Sequence, residues 1–239
     1  MKVAILLSGQ PRHFDKETPQ NIREHLTSKY DCDIFCHFWW SEEEVKSGIN
    51  YKTSDCTGLC DITMELNVPN RIMELYNPIM MEYEPSRIFD LENKNFSNTQ
   101  SQYYSLKKSF MLFDRYRTHF NIYYDWIIRM RYDGTIGLLP NLEELKREKI
   151  FVRDIFSFRE GPENILIQDI FWITSPKFCH IMFSAFDNIP LFKYLKKEIT
   201  NGEGLLLSQI QYYNIYDEII KIPMNFMDVS FYILDRPII

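Results

Sequence analysis

The sequence predicts an α/β fold over residues 1–239, one domain with a central mixed, mainly parallel sheet flanked by helices. Three observations predict it. A fully apolar run at 3–7 (VAILL) ends abruptly in Ser8-Gly9-Gln10-Pro11, as expected of a strand buried on both faces. A helical stretch and a second apolar run at 33–38 (DIFCHF) follow, and strand, helix and strand at this spacing form a βαβ unit with parallel strands. Strand-like and helix-like segments then alternate along the chain. A length of 239 residues fits one domain or a small pair.

The elements are taken in order. Residues 2–7 form the first strand. Thr18-Pro19 reads as an N-cap with a first-turn proline, and Ile22 and Leu26 then keep helical spacing. Residues 33–38 form the second strand. Residues 41–62 are polar and contain two glycines, a long excursion rather than a linker between domains. A third strand is predicted at 79–83, with a polar loop at 90–100. Between 101 and 120, Tyr103, Leu106, Phe110, Phe113 and Phe120 recur at steps of three, four or seven and make one apolar stripe. Gln102, Ser105 and Ser109 flank that stripe, with Lys108 further round the polar side. Strands follow at 126–130, 150–153 and 170–174. Helical patterns cover 176–186, 190–200 and 203–216, and two late strands are predicted at 218–222 and 229–234.

Composition excludes several classes. Aromatic residues reach 15% and apolar residues 45%, which argues against long disorder and supplies a substantial core. The 27 basic and 33 acidic residues leave a net charge of −6, against an electrostatic nucleic-acid binder. Cys32, Cys36 and Cys179 lie in apolar runs and read as buried thiols. Cys56 and Cys60 sit in a polar loop without a second Cys/His pair for zinc. A reducing compartment fits this usage. The five-residue apolar run at 3–7 is shorter than a secretory leader requires, and no stretch approaches the length of a membrane span. The expected location is the cytoplasm, and the host cytoplasm if the chain is viral.

Five motifs carry chemistry. Ser8-Gly9-Gln10-Pro11-Arg12 follows the first strand, where α/β sheets bind ligands. Gly9 allows close backbone approach, and Arg12 suits a phosphate; a plain strand-to-helix turn is the other reading. Neither a G-x-G-x-x-G nor a Walker A motif occurs. His37-Phe38-Trp39-Trp40 closes the second strand, with Trp39 either in the core or walling a base or sugar pocket. In Arg129-Met130-Arg131-Tyr132-Asp133, alternation puts Arg129, Arg131 and Asp133 on one side. Two guanidiniums suit a diphosphate, and a carboxylate suits a divalent metal or a sugar hydroxyl; an internal Arg–Asp pair is the alternative. Gln168-Asp169 offers a general base at a strand mouth, or a capping aspartate. Asn201-Gly202-Glu203 opens a helix, where Glu203 either serves the helix dipole or binds an acceptor.

Taken in order, six segments carry a resemblance: KVAILLSGQPR, DCDIFCHFWW, SQYYSLKKSF, YDWIIRMRYDG, IQDIFWITSP and GEGLLLSQI. With them the chain resembles a GT-A type (Rossmann-like) glycosyltransferase-like family found in viral and bacterial glycan gene sets. The resemblance implies a nucleotide-diphosphate sugar as donor and a glycan hydroxyl as acceptor. Ser8, Gly9, Gln10 and Arg12 would touch the nucleotide, and Gln102, Ser105 and Lys108 would border the donor site, with Arg129 also on the donor side. Asp169 would be the catalytic base of an inverting transfer, Arg131 would neutralise the leaving diphosphate, and Glu203 and Trp39 would lie on the acceptor side. Asp133 matches the end of the family's metal-binding Asp-x-Asp motif. Two positions earlier stands Arg131 instead of Asp, so manganese or magnesium at Asp133 and metal-free neutralisation both stay open. The alternative function is a catalytically degenerate nucleotide-sugar binding module.

Overall fold

The computed structural model describes residues 1–48, 51–55, 58–62, 65–153, 169–197, 199, 201–222 and 225–228. Its centre is a seven-stranded sheet. In chain order the strands of the molecule are β1 (Lys2–Gly9), β2 (Asp31–Trp39), β3 (Tyr51–Asp55), β4 (Gly58–Ile62), β5 (Met80–Glu84), β6 (Trp126–Met130), β7 (Gly134–Leu138), β8 (Ile150–Arg153), β9 (Trp172–Thr174), β10 (Ile219–Ile222) and β11 (Asn225–Asp228). The large sheet has the order β10-β8-β9-β6-β1-β2-β5. Within it β1 runs parallel to β2 and β6, β2 to β5, and β8 to β10, while β9 is antiparallel to β6 and β8. The mixed, mainly parallel α/β sheet expected from the sequence is therefore present.

Strand β1 explains why an unbroken apolar run is needed at the centre. Val3, Ile5 and Leu7 enter one buried cluster, with Phe14, Ile22, Leu26, Ile72 and Tyr76. Ala4 and Leu6 enter a second, with Phe35, Leu106, Phe110, Cys179 and Leu206. Both faces of the strand are covered, so no position tolerates a polar side chain until Ser8.

The helices are α1 (Thr18–Ile22), continued by a π-helical turn at Arg23–Thr27, α2 (Glu42–Lys46), α3 (Val68–Tyr76), α4 (Lys94–Phe120), α5 (Pro176–Phe183), α6 (Ile189–Tyr194) and α7 (Gly202–Tyr212). Helix α4 begins seven residues before the predicted start at 101, inside the predicted loop at 90–100, because the Asn93 side chain accepts a bond from the Phe96 N–H and caps it. It stops at Asn121 in the left-handed conformation, φ 53°. The polar excursion at 41–62 contains α2, capped by Ser41, and the antiparallel pair β3–β4. Helix α3 was not expected; Val68, Ile72 and Tyr76 bury one face at steps of four. Strand β7 also goes beyond the sequence reading and pairs antiparallel with β11. The last two predicted helices are shorter than expected, ending at Tyr194 and Tyr212. The strand predicted at 229–234 lies outside the described residues. Cys36 and Cys179 are buried thiols as expected, whereas Cys32 is only half-buried. No described helix is long and apolar enough to cross a membrane.

Helix α3 holds the loop after β1 from behind. The Tyr76 hydroxyl donates to the Phe14 carbonyl at 2.6 Å, and both residues are buried. Arg71 reaches Asp15 at 2.5 Å and Glu65 at 2.6 Å. Replacing Tyr76 by Phe leaves that carbonyl unpaired in the core, so stability should fall by about 1–3 kcal/mol in a urea titration.

Candidate functional site

The ends of β1 and β6 open side by side, with Leu7 opposite Met130 and Gly9 opposite Phe38 of β2. The chain leaves β1 towards β2 on one side, and β6 lies on the other, so a crevice forms where the strand order diverges. A hollow of about 210 Å³ occupies it. Ser8, Gly9 and Gln10 border it from the end of β1 and Arg12 from the following loop. Trp39 contributes from β2, Arg131 from beyond β6, and Asn98, Ser101 and Gln102 from α4.

Gly9 has φ +112°, and a β-carbon there would meet nothing within 4 Å. Glycine is thus required by backbone conformation and not by crowding. Its N–H donates to the Ser105 hydroxyl at 2.7 Å. The same hydroxyl lies 2.8 Å from His37 Nδ1, and His37 Nε2 lies 3.1 Å from Glu84. Burial pushes His37 down to about 3, against the opposing pull of Glu82. The ring is therefore neutral: Nε2–H donates to Glu84, and Nδ1 accepts from Ser105. Ser105, fully buried, supports the Gly9 turn from behind and does not border the hollow. Lys108 does not border it either, because its ammonium is 2.5 Å from Glu82 on the β5 edge. The resemblance assigned both residues to a donor-site border, and the structure places neither on the lining of this hollow.

Asp133 is 2% exposed and is shared by two guanidiniums. Arg12 Nη2 lies 3.0 Å from its Oδ2, and Arg131 Nη2 bonds the same oxygen. Burial works to raise its pKa, but Arg131 and then Arg12 outweigh burial and hold the carboxyl below its ordinary range. No group of three His, Cys, Asp or Glu able to hold a metal occurs among the described residues. A divalent cation does not fit here. The Asp133 carboxylate already faces two fixed positive charges, which would repel the ion.

Arg129 lies beneath the hollow and does not line it. The predicted common side of Arg129, Arg131 and Asp133 fails because strand alternation ends at Met130. Arg129 is completely buried, over the Trp172 ring at 5.4 Å, and Nη1 donates to the Ile170 carbonyl at 2.8 Å. Burial brings it down to about 10, opposed by the charge of Asp169, so it stays cationic at neutral pH.

Asp169 stands one hydrogen bond behind the hollow. Gln102, a lining residue, donates from Nε2 to Asp169 Oδ2 at 2.8 Å. The carboxylate packs onto Gly202 at the start of α7 so tightly that a β-carbon on Gly202 would sit 1.7 Å from Oδ2. Glu203 follows directly, and its pKa is raised by burial and by the charge of Asp169. Gln168 lies outside the described residues. Trp39, 1% exposed, is wall and core at once: it borders the hollow and stacks on Tyr104 at 5.5 Å.

The sequence reading missed Asn98 and Ser101. A signal for them existed: 98, 101, 102 and 105 fall at steps of three, four and seven, a polar stripe along one face of α4.

No family model matches the chain, and no curated protein sequence does. Among solved structures, the chain is similar to the crystal structure of a glycosyltransferase involved in the glycosylation of the major capsid of PBCV-1, at 9% identity, over 93% of this chain and 81% of that one, with a TM-score of 0.43. A likeness of that size carries no argument about chemistry, which rests on the site itself.

Two outcomes test this geometry. Gly202→Ala should cost about 1–3 kcal/mol, the usual penalty of overpacking, and Asp169→Ala should relieve most of it in a double-mutant cycle. Glu203→Gln should change the pH dependence of melting. With its pKa raised in the folded chain, native Glu203 binds more protons than the unfolded chain above the ordinary glutamate value of about 4.3, so stability falls as pH rises through that window. The Gln variant should therefore melt higher than the parent at pH 7 and alongside it near pH 4.

Proposed function

We propose that this protein is a GT-A-like, metal-independent glycosyltransferase that moves a sugar from a nucleotide-diphosphate sugar to a hydroxyl of a glycan acceptor. One observation carries the reading: two guanidiniums, Arg12 and Arg131, converge with an open glycine turn on a single hollow at the strand mouths. Arginine forks match phosphate oxygens. The hollow is smaller than the roughly 300–1,000 Å³ of sites that enclose a whole drug-sized molecule, so it would grip the diphosphate and part of the sugar while the rest of the ligand reaches the open mouth.

In the proposed reaction the acceptor oxygen bonds to the anomeric carbon as the bond from that carbon to the phosphate oxygen breaks. The electron pair leaves with the diphosphate. Arg12 and Arg131, held in place by Asp133, meet the negative charge that develops there; such preorganised electrostatics is commonly the largest catalytic contribution. The acceptor proton passes to Asp169, which must exchange its bond from Gln102 for one from the acceptor hydroxyl to come within reach. Direct displacement inverts the anomeric centre. Trp39 and Glu203 would lie on the acceptor side.

A thermal-shift screen with uridine, guanosine and thymidine diphosphates, in EDTA and in manganese, tests donor binding. The matching nucleotide at about 100 times its Kd should add about 2.7 kcal/mol, equally in both buffers. Asp169→Asn should cut turnover by about 10²- to 10⁴-fold and leave nucleotide affinity nearly intact; undiminished turnover would remove Asp169 as base. Nucleotide binding with no sugar transferred or released from any donor would favour a binding module over an enzyme.

A further inference from the structure

Ser8 is 1% exposed, and its hydroxyl has no hydrogen-bond partner among the described residues. A buried hydroxyl left unpaired costs on the order of 1–3 kcal/mol, and this one borders the hollow. It stands next to Gly9, whose N–H is bonded to Ser105 of α4. One turn and two turns back along the same face of α4 lie Ser101 and Asn98, both lining the hollow, with Gln102 beside them. The hollow thus has two unlike walls. The arginines approach from the loop after β1 and the turn after β6. The opposite wall is uncharged and offers hydroxyl and amide groups. Among the described residues no carboxylate lines the hollow, but Asp169 lies behind Gln102, with its charge acting on Glu203.

We infer that Ser8, Asn98, Ser101 and Gln102 form the subsite for the transferred sugar, and that they select a neutral, hydroxyl-bearing sugar over a uronic acid. The inference rests on the proposed transfer reaction. A diphosphate on Arg12 and Arg131 directs the attached sugar across the hollow, towards the wall through which Gln102 reaches Asp169. Neutral hydroxyls can both donate to and accept from such a wall. A uronate carboxylate on that wall would meet hydroxyl and amide groups and would approach Asp169 behind Gln102, an unfavourable burial of like charge. Ser8, which the resemblance assigns to the nucleotide, is here a sugar contact.

The test is calorimetric binding of pairs that differ in the sugar alone: UDP, UDP-glucose and UDP-galactose against UDP-glucuronate and UDP-galacturonate, and GDP and GDP-mannose against GDP-mannuronate. One neutral conjugate should bind more tightly than its bare nucleotide, and its uronate at least about 10-fold more weakly than the neutral form. Ser8→Ala removes no protein hydrogen bond, so its melting temperature should be unchanged or raised. It should weaken the neutral conjugate about 3- to 10-fold, the worth of one neutral hydrogen bond, and leave the bare nucleotide unaffected. Asn98→Ala should act in the same direction. A uronate bound as tightly as its neutral partner would overturn the inference. So would a Ser8→Ala variant with undiminished affinity for every neutral conjugate, or one that weakens bare nucleotide equally. Those results would leave the transferase reading standing, because nucleotide binding would persist; a failure of every nucleoside diphosphate to bind would instead remove the transferase reading itself.

Discussion

The ion triad Arg12–Asp133–Arg131 is the interaction on which the candidate site depends. Asp133 is almost wholly out of water, and a carboxylate in that position persists only with cations against it. The two cations come from segments far apart in the chain, the loop after β1 and the turn after β6. Meeting at one oxygen, they tie those segments together and set the width of the crevice. Removing one partner of a buried pair typically costs about 3–5 kcal/mol. The triad also sets the charge of the hollow: both guanidiniums line it, and the same arrangement leaves the carboxylate ill-suited to a divalent cation.

Each part of the mouth has its own polar bracket from a neighbouring helix or strand. Tyr76 and Arg71 of α3 hold the loop that carries Arg12. Ser105 of α4, oriented by a neutral His37 that is itself bonded to Glu84, holds the turn at Gly9. Gln102 of α4 and the glycine at the start of α7 hold Asp169. Several residues that look functional on composition, such as His37, Ser105 and Arg129, belong to this supporting layer. Arg129 is the extreme case: a charged side chain fully enclosed over Trp172, kept cationic although burial lowers its pKa.

Much of the sheet was legible because its signals are local. The run at 3–7 has no polar residue on either face, and 126–130 and 150–153 match strands β6 and β8 residue for residue. The elements that were missed had weaker local signals. The first turns of α4 read NKNFSNTQ, a stretch whose polar side chains look like a loop until Asn93 is seen to cap it. Helix α3 is short and starts Val-Pro, and its apolar face acquires meaning only against Phe14 and the sheet. Strand β7 begins at a glycine, and its partner among the described residues is β11, a long way along the chain.

Among the residues that line the hollow, Ser8, Gly9, Gln10, Arg12, Trp39 and Arg131 could be named from strand ends read off the sequence, whereas Gln102 came with the family resemblance. Position along the chain could not separate Lys108 from Gln102, or Arg129 from Arg131: on paper each pair shares an element, and in space one member faces the hollow while the other is taken by Glu82 or enclosed over Trp172. The sequence by itself determined the α/β class, the central buried strand and the polar tips that could meet a ligand, since these follow from periodicity within a few residues. The tertiary structure alone decided which tips meet, that Asp133 belongs to two arginines, and that Gly202 must lack a side chain to admit Asp169. Those are mostly contacts between separate segments of the chain, and periodicity within one segment carries no information about the distance to another.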